Sequence, residues 1–266
     1  MKTSKRIVAL SIGLSACGFA ASLGACGSSS DGTTPNGVDA AVVDSSATTD
    51  AGTGDGSAAS LVQARPYNFH VPTGYDASKP TPLVVMLHGY SASGAIEEAY
   101  FGLTATSDTN TFLYAFPDGT LDPNGNRFWN ADDACCDLYS IAVDDVAYVN
   151  AIIDDVSAKY TVDPKRIFVV GHSNGAFMSH RLACDSSDRI AAIASLAGAV
   201  WNDASKCNPT SKIAVLDIHG DADTTIAYDG GVIPNAGTYP SEAQTMATWA
   251  AKNGCTGAIA PTGSTY

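Results

Sequence analysis

The sequence has little positive charge. Its 266 residues include 14 lysines and arginines against 27 aspartates and glutamates, a formal net charge of −13. The three basic residues among the first 25 are balanced by no acid, so residues 26–266 hold 11 basic and 27 acidic residues, a net charge of −16. Such a surface repels phosphate backbones and anionic lipid headgroups. The composition therefore predicts neither a nucleic-acid partner nor direct binding to an anionic membrane.

Acidic residues are absent from residues 1–25. A basic start followed by an apolar run of small residues is typical of a bacterial export signal, and the many glycines and serines make a transmembrane anchor the less favoured alternative. Cys17 and Cys26 each follow small residues, in a pattern similar to the lipobox of bacterial lipoproteins. We expect lipidation of Cys26, because the apolar run before it is longer, and contact with the membrane only through this lipid. Lipidation of Cys17, or plain secretion, are the alternatives.

Aromatic residues are absent from residues 27–60, where glycine, serine, threonine, aspartate and alanine dominate. A segment of this composition cannot bury a hydrophobic core. We therefore predict a flexible linker at residues 26–60 and a folded domain at residues 61–266.

Short apolar runs bounded by turn residues recur along this domain. Runs typical of buried strands occupy residues 83–87, 111–116, 190–196 and 212–218, with a possible early strand at 65–71. Helical spacing marks residues 146–160, with Asp144 or Asp145 as N-cap, and a second amphipathic helix at 241–252. Strands that alternate with helices predict an α/β fold, with a mainly parallel sheet covered by helices on both faces.

Residues 171–175 read Gly-His-Ser-Asn-Gly, between a β-branched, aromatic strand and a helix-compatible segment. This is the strand–turn–helix context of the G-x-S-x-G nucleophile elbow, although the pentapeptide alone could be a structural turn. The sharp turn forces the serine backbone into a strained conformation. Glycines are expected on either side of it, because a Cβ at those positions would clash with the nearby backbone. We predict that Ser173 is the nucleophile of an α/β-hydrolase.

A serine nucleophile needs a base and an acid that orients the base. In α/β-hydrolases the acid follows the serine along the chain. Asp223 lies in the loop after a predicted buried strand, at the sheet edge towards which the elbow points, and is the predicted acid. Asp221 is the second candidate, whereas Asp217 lies within the strand and is less suited.

The negative charge that develops on a scissile carbonyl needs two backbone N–H donors. The predicted donors are Asn174, which follows the nucleophile, and Tyr90, in the loop after the first central strand. Gly89 lets the backbone of that loop come close. A simple tight turn at His88-Gly89 is the alternative.

Several segments together carry a resemblance to a known family. They are Leu-His-Gly at 87–89, Phe-Trp-Asn at 128–130 with Cys135-Cys136, Val-Asp-Asp-Val at 143–146, Val-Asp-Pro-Lys-Arg-Ile at 162–167, the elbow, Leu-Ala-Cys at 182–184, and His-Gly at 219–220 with Asp223 and Tyr-Asp-Gly-Gly at 228–231. From about residue 83 the chain resembles the secreted esterases grouped with polyhydroxybutyrate depolymerases and feruloyl or acetylxylan esterases.

This resemblance implies a serine esterase that cleaves esters on plant polysaccharides, or short-chain polyesters, without a metal or organic cofactor. It implies Ser173 as nucleophile and Asp223 as acid. It also implies that Trp129 flanks the substrate cleft, with a core tryptophan as the alternative.

The family's catalytic histidine is the missing element, since it belongs to a Gly-His segment well downstream of the acid. All five histidines, His70, His88, His172, His180 and His219, precede Asp223. We read His88 and His219 as packing residues and expect the domain to lack its C-terminal part. The alternatives are an inactive surface lipoprotein that binds polysaccharide on an esterase scaffold, and a peptidase of the same fold.

Cysteine counting gives an odd number in the domain. After Cys26, five remain, and an exported domain should pair them. We expect Cys184 to pair first with Cys207. Since Cys135 and Cys136 are consecutive, at least one is expected to need a distant partner, and Cys255 is expected to have lost its partner or to be a free buried thiol.

Overall fold

A computed structural model describes residues 58–257. The strands are β1 (Asn68–His70), β2 (Thr81–Leu87), β3 (Leu113–Phe116), β4 (Thr120–Leu121), β5 (Arg127–Phe128), β6 (Val162–His172), β7 (Ala192–Leu196), β8 (Ala214–Ile218), β9 (Gly231–Val232) and β10 (Thr238–Tyr239). The helices are α1 (Ala58–Ala64), α2 (Gly94–Phe101), α3 (Leu103–Asn110), α4 (Asp145–Lys159), α5 (Asn174–Asp185) and α6 (Glu242–Asn253), with a 3₁₀ turn at Ala204–Lys206.

Six strands form the central sheet in the order β1-β3-β2-β6-β7-β8. Strand β1 is antiparallel to β3, and every other neighbouring pair in this sheet is parallel. The pairs β4–β5 and β9–β10 are separate two-stranded ribbons. This arrangement confirms the predicted α/β fold with a mainly parallel sheet and helices packed against it.

The central strands are buried because their sequences are apolar on both faces. In β2, Val85, Met86 and Leu87 are consecutive and none is exposed, so side chains on both sides of the strand are covered. The parallel arrangement brings the carboxyl ends of β2, β6, β7 and β8 to one edge of the sheet. The loops that follow these ends are the ones that carry the predicted site residues.

Helix α4 begins where the sequence predicts it. Asp144 is the N-cap, and its side chain accepts a hydrogen bond from the N–H of Ala147 at 2.9 Å. Its apolar side chains recur at helical spacing and are buried, namely Val149, Ile152, Ile153 and Val156. Helix α6 is also confirmed, with Ser241 and Gln244 forming a capping box at its start.

Helix α1 crosses the predicted boundary between linker and domain at residues 60 and 61. It packs against α4. Just after α1, the guanidinium of Arg65 lies 3.4 Å from the ring centroid of Tyr148 and 2.6 Å from Oδ1 of Asp145. The predicted export signal at residues 1–25, the lipidation candidates Cys26 and Cys17 and most of the linker lie outside the described residues. Between residues 58 and 257, no helix has the length and apolarity needed to cross a membrane.

Two disulfides are present in the described chain. Cys184 and Cys207 are bonded, which is the pairing expected first. Cys135 and Cys136 are bonded to each other, so the expectation of a distant partner is wrong. Adjacent cysteines can close a small ring through their own backbone, and residue spacing therefore did not force a long-range bond. Cys255 is a free thiol and is exposed rather than buried.

Candidate active site

The turn between β6 and α5 holds Ser173 in an unusual backbone conformation. Its φ is 52° and its ψ is −119°, which is a strained combination for a residue with a Cβ. The N–H of Ser173 donates to the carbonyl of Leu196 at 2.8 Å, and its carbonyl accepts from Ala176 and Phe177. The backbone is therefore held on both sides. The Ser173 hydroxyl makes no hydrogen bond to any residue between 58 and 257.

Glycines surround this serine because backbones meet there. A Cβ built on Gly171 would lie 2.1 Å from the carbonyl oxygen of Gly175. A Cβ built on Gly175 would lie 2.1 Å from the carbonyl oxygen of Leu87, at the end of β2. Both glycines thus permit an approach that any side chain would block. The start of α5 is seated directly on the end of the neighbouring strand.

The elbow opens into a cleft of about 430 Å³ at the carboxyl edge of the sheet. Ser173, Asp223 and Tyr90 all line this cleft. These three residues come from loops after three different strands, and the fold places them together. The cleft also includes Glu97, Tyr100 and His172, none of which the sequence analysis assigned to a site.

Asp223 is the candidate acid that reaches the cleft. Its Oδ1 accepts hydrogen bonds from the N–H groups of Thr225 at 2.8 Å and Ile226 at 3.1 Å. Its Oδ2 has no hydrogen-bond partner among residues 58–257 and is therefore available to orient a base. The second candidate, Asp221, is exposed and does not line the cleft. Asp217 is buried on β8, with its Oδ2 3.2 Å from His180.

The two predicted oxyanion donors belong to the loop after β2, for Tyr90, and to the start of α5, for Asn174. Among the described residues, no acceptor binds the backbone N–H of Tyr90 or of Asn174. A Cβ built on Gly89 would lie 3.5 Å from the Cβ of Ser173, so the loop that carries Tyr90 touches the elbow. The Tyr90 hydroxyl donates to Asp122, which anchors this loop, and burial together with that bond raises the pKa of Tyr90 to about 12.

The side chain of Asn174 fixes the start of α5. Its Oδ1 accepts from the N–H of Trp129 at 2.7 Å, and its Nδ2 donates to the carbonyl of Trp129 at 2.9 Å. The same Nδ2 lies 3.4 Å from Sγ of Cys135. Asn174 is fully buried, so water cannot compete for these bonds. The loop that carries the Cys135–Cys136 disulfide is thereby tied to the elbow.

Trp129 is a core residue, which corrects its predicted place beside the substrate. It is 0% exposed and does not line the cleft. Its indole N–H donates to the carbonyl of His88 at 3.0 Å. Both ends of the residue are thus occupied by protein, and the family resemblance alone could not distinguish a cleft tryptophan from a buried one.

His88 and His219 are packing residues, as expected. Nδ1 of His88 donates to the carbonyl of Gly89, and its Nε2 accepts from the N–H of Gly119, each at 2.8 Å. Burial lowers the pKa of His88, which agrees with this neutral tautomer. His219 is also buried, and its Nε2 lies 2.8 Å from the carbonyl of Ile226.

His180 is buried behind the elbow. Its Nδ1 accepts from the indole N–H of Trp249 at 2.9 Å, and its Nε2 lies 3.1 Å from the hydroxyl of Ser195. No histidine between residues 58 and 257 is hydrogen-bonded to Ser173. In the same span, no group of three or more His, Cys, Asp or Glu side chains is arranged to hold a metal ion.

His172 differs from these because it lines the cleft. Its Nδ1 is 2.9 Å from Oε1 of Glu97, and its ring is stacked at 5.6 Å on the ring of Tyr100. The sequence signals neither partner, because Glu97 and Tyr100 both lie far from His172 along the chain. In the fold, Glu97 points inwards and is 3% exposed.

Asp132, in the loop tied to Asn174, should make stability depend on pH. Burial raises the pKa of Asp132 to about 7, although its Oδ1 accepts from the N–H groups of Ala134 and Cys135. A raised folded-state pKa means that the folded protein binds the proton more tightly than the unfolded chain. This stabilisation is present below about pH 4 and is lost as the pH rises through about 7.

We expect Asp132→Asn to match the wild type near pH 4 and to exceed its stability at pH 8 by about 2 kcal/mol. Converted in full at ~1.4 kcal/mol per pKa unit, the pKa shift would give a larger difference in stability. We expect the smaller value because Asp132 is partly exposed and water screens its charge. Denaturant unfolding across this pH range would measure the difference. Asp132→Ala, which loses both hydrogen bonds, should be less stable than Asp132→Asn throughout. Parallel pH profiles for wild type and Asp132→Asn would contradict the assignment.

The family follows from comparison of the sequence with known proteins. A family model described as phospholipase/carboxylesterase matches residues 73–236, which is more than half of the 266 residues. The chain belongs to this carboxylesterase family. Membership agrees with the sheet order and the elbow, and it confirms the α/β-hydrolase fold and the resemblance read from the sequence.

Similar proteins include several esterases. A putative esterase, NocK, from Nocardia uniformis subsp. tsuyamanensis is 32% identical over 169 residues, covering 63% of this chain and 48% of that protein. Feruloyl esterase B from Piromyces equi is 31% identical over 193 residues, covering 70% of this chain and 35% of that protein. Poly(3-hydroxyalkanoate) depolymerase C from Paucimonas lemoignei is 32% identical over 161 residues, covering 60% and 37%. The matches thus span between a third and a half of these relatives.

Proposed function

We propose that this protein is a carboxylic ester hydrolase with Ser173 as its nucleophile. The observation that carries the proposal is a strained serine whose unbonded hydroxyl shares a cleft with Asp223 and the Tyr90 loop. A protein that only binds polysaccharide does not need a serine in this conformation. Backbone hydrogen bonds on both sides of Ser173 maintain this strained conformation. Backbone strain of this kind is typical of catalytic residues, whose side chains must be held in a fixed orientation.

In the proposed reaction, a base takes the proton of Ser173 as its oxygen attacks the ester carbonyl. The N–H groups of Tyr90 and Asn174 hold the oxyanion. Collapse of the tetrahedral intermediate expels the alcohol, which receives the proton from the base, and water then cleaves the acyl-enzyme by the same steps. The free Oδ2 of Asp223 orients the base. The family resemblance implies that this base is a histidine.

For substrates, we propose esters of plant polysaccharides or short-chain polyesters. Ile96 and Tyr100 are 62% and 64% exposed on consecutive turns of α2, and both line the cleft. They give it an apolar wall next to Ser173 that suits a neutral ester. The acidic surface is compatible with such a substrate. The names of the feruloyl esterase and poly(3-hydroxyalkanoate) depolymerase relatives support the same classes.

For location, we propose export followed by lipidation of Cys26. The Cys184–Cys207 disulfide is consistent with an oxidising compartment. The basic and apolar start of the chain supports the export signal.

A serine-directed fluorophosphonate tests the proposed nucleophile. We expect the Ser173 oxygen of the full-length protein to bond the phosphorus of the reagent and displace fluoride, which leaves one covalent adduct that peptide mass spectrometry places on Ser173. Prior incubation with an ester substrate should slow the labelling. An adduct on another residue would overturn the assignment. Binding to insoluble xylan without any adduct would favour the alternative, a non-catalytic polysaccharide-binding lipoprotein.

A further inference from the structure

The carboxylate of Glu97 joins two segments of the site. Its Oε2 accepts a hydrogen bond from the N–H of Gly89 at 3.0 Å. Its Oε1 lies 2.9 Å from Nδ1 of His172. Gly89 directly precedes Tyr90, and His172 directly precedes Ser173. One side chain on α2 is therefore bonded to the loop of the first oxyanion donor and to the elbow of the nucleophile and the second donor.

This bridge is buried and ionised. The Glu97 side chain is 4% exposed. Burial alone would raise the pKa of Glu97, but the hydrogen bonds from His172 and Gly89 outweigh it and hold the pKa below its ordinary value. An ionised carboxylate can only accept, so Nδ1 of His172 carries the proton. Hydrogen bonds of this charge-assisted kind are stronger than neutral ones.

The helix that presents Glu97 is itself fixed to the sheet edge. A Cβ on Gly94, the first residue of α2, would lie 2.1 Å from the carbonyl oxygen of Phe116, so helix and strand are in direct backbone contact. The N–H of Gly94 also donates to Asp118 at 2.8 Å. The position of Glu97 is thus fixed by the contacts of α2 with the sheet edge. On the other side, Tyr100 stacks on the His172 ring and restricts its rotation.

We propose that Glu97 is a positioning residue that sets the separation between the Tyr90 loop and the elbow. Without the carboxylate, the N–H of Gly89 loses its acceptor and the link between this loop and the elbow is broken, while the Tyr90–Asp122 bond still anchors the loop on its other side. Small displacements of oxyanion donors slow the chemical step more than they weaken substrate binding. The kinetic consequence rests on the proposed esterase function, whereas the bridge itself does not.

Three variants of the full-length protein test the kinetic part. Glu97→Ala should lower kcat for a soluble ester by about 10- to 100-fold, with KM changed less than about threefold, since removing an entire oxyanion donor costs about 10²–10³-fold. Glu97→Gln can accept from Gly89 and donate to Nδ1 of His172, and should keep kcat within about fivefold. Glu98→Ala is the matched control. Glu98 bonds the Tyr114 hydroxyl and the Thr104 N–H, so its loss should affect stability and leave kcat unchanged.

NMR tests the bridge without any turnover. In the wild type, ¹⁵N spectra should show the His172 proton on Nδ1, and the Gly89 amide should exchange slowly. In Glu97→Gln the side-chain amide donates to Nδ1, so the ring proton should lie on Nε2, while Gly89 stays protected. In Glu97→Ala the Gly89 amide should exchange at least about tenfold faster.

The outcomes separate the two proposals. A wild-type protein that hydrolyses esters, with Glu97→Ala equal to it in kcat, would overturn the positioning role. Unchanged His172 tautomer and Gly89 exchange in the variants would overturn the bridge. A wild-type protein inert towards every ester and towards the fluorophosphonate would instead refute the proposed function, and the NMR result would still decide whether Glu97 holds the two segments together.

Discussion

Replacement of Ser173 with alanine is expected to lower kcat/KM for ester hydrolysis by at least about 10⁴-fold. The substitution removes the only atom that forms the acyl-enzyme, so the reaction would depend on direct attack by water. The proposed oxyanion donors, the N–H groups of Tyr90 and Asn174, would remain in place and should support a small residual rate. Initial rates with a chromogenic acetyl or butyryl ester, measured on full-length protein, give the comparison.

A suitable control is Ser195→Ala. Ser195 is a buried serine on the neighbouring strand β7, and its hydroxyl lies 3.1 Å from Nε2 of His180. Its removal should lower stability and leave kcat/KM within about threefold, since it does not line the cleft. Ester hydrolysis by Ser173→Ala at the wild-type rate would refute the assignment of Ser173 as the nucleophile, whatever the result with Ser195→Ala.

The sequence predicts the fold well because its signals are local. Apolar runs locate the central strands, and Asp144 marks the start of α4. The elbow is also a local signal, since strand, glycine-flanked serine and helix are contiguous. Asp223 is predictable because it follows a buried strand downstream of Ser173. Parallel strands place their carboxyl ends at one edge of the sheet, so the loops after them line the same cleft.

Features that depend on side-chain direction or on distant partners are not predictable in this way. Trp129 faces the core because its indole N–H finds the His88 carbonyl, a contact between residues 41 positions apart. Glu97 bonds His172 across 75 positions, and nothing in its own segment distinguishes it from the neighbouring Glu98. The Cys135–Cys136 bond is local, yet the adjacency of the two residues led to the expectation of a distant partner.

Replacement of Gly175 with alanine should destabilise the protein, although helix propensity alone predicts the opposite. Gly175 lies in the first turn of α5, where alanine is favoured over glycine by up to about 1 kcal/mol. Against this, the added Cβ would lie 2.1 Å from the carbonyl oxygen of Leu87 and 2.7 Å from that of His88. Both obstacles are backbone atoms, so no rotamer change can relieve the overlap.

Relief of that overlap requires α5 to move away from β2 by about 1 Å, since nonbonded carbon and oxygen atoms need more than ~3 Å. The start of α5 cannot move independently. Asn174 is bonded to both backbone groups of Trp129, and the N–H of Ser173 is bonded to Leu196. We therefore expect the clash to dominate and the free energy of unfolding to fall by about 3 kcal/mol or more, at the upper end of overpacking effects.

For a domain of this size, such a loss lowers the melting temperature by at least ~6 °C, which differential scanning calorimetry would resolve. Gly220→Ala is the matched control. A Cβ on Gly220 would have nothing closer than 4.0 Å, so this variant should melt within about 2 °C of the wild type. A Gly175→Ala protein as stable as the wild type would mean that α5 does not sit on the end of β2. The described approach of the elbow to the Tyr90 loop, on which the oxyanion site depends, would then be wrong as well.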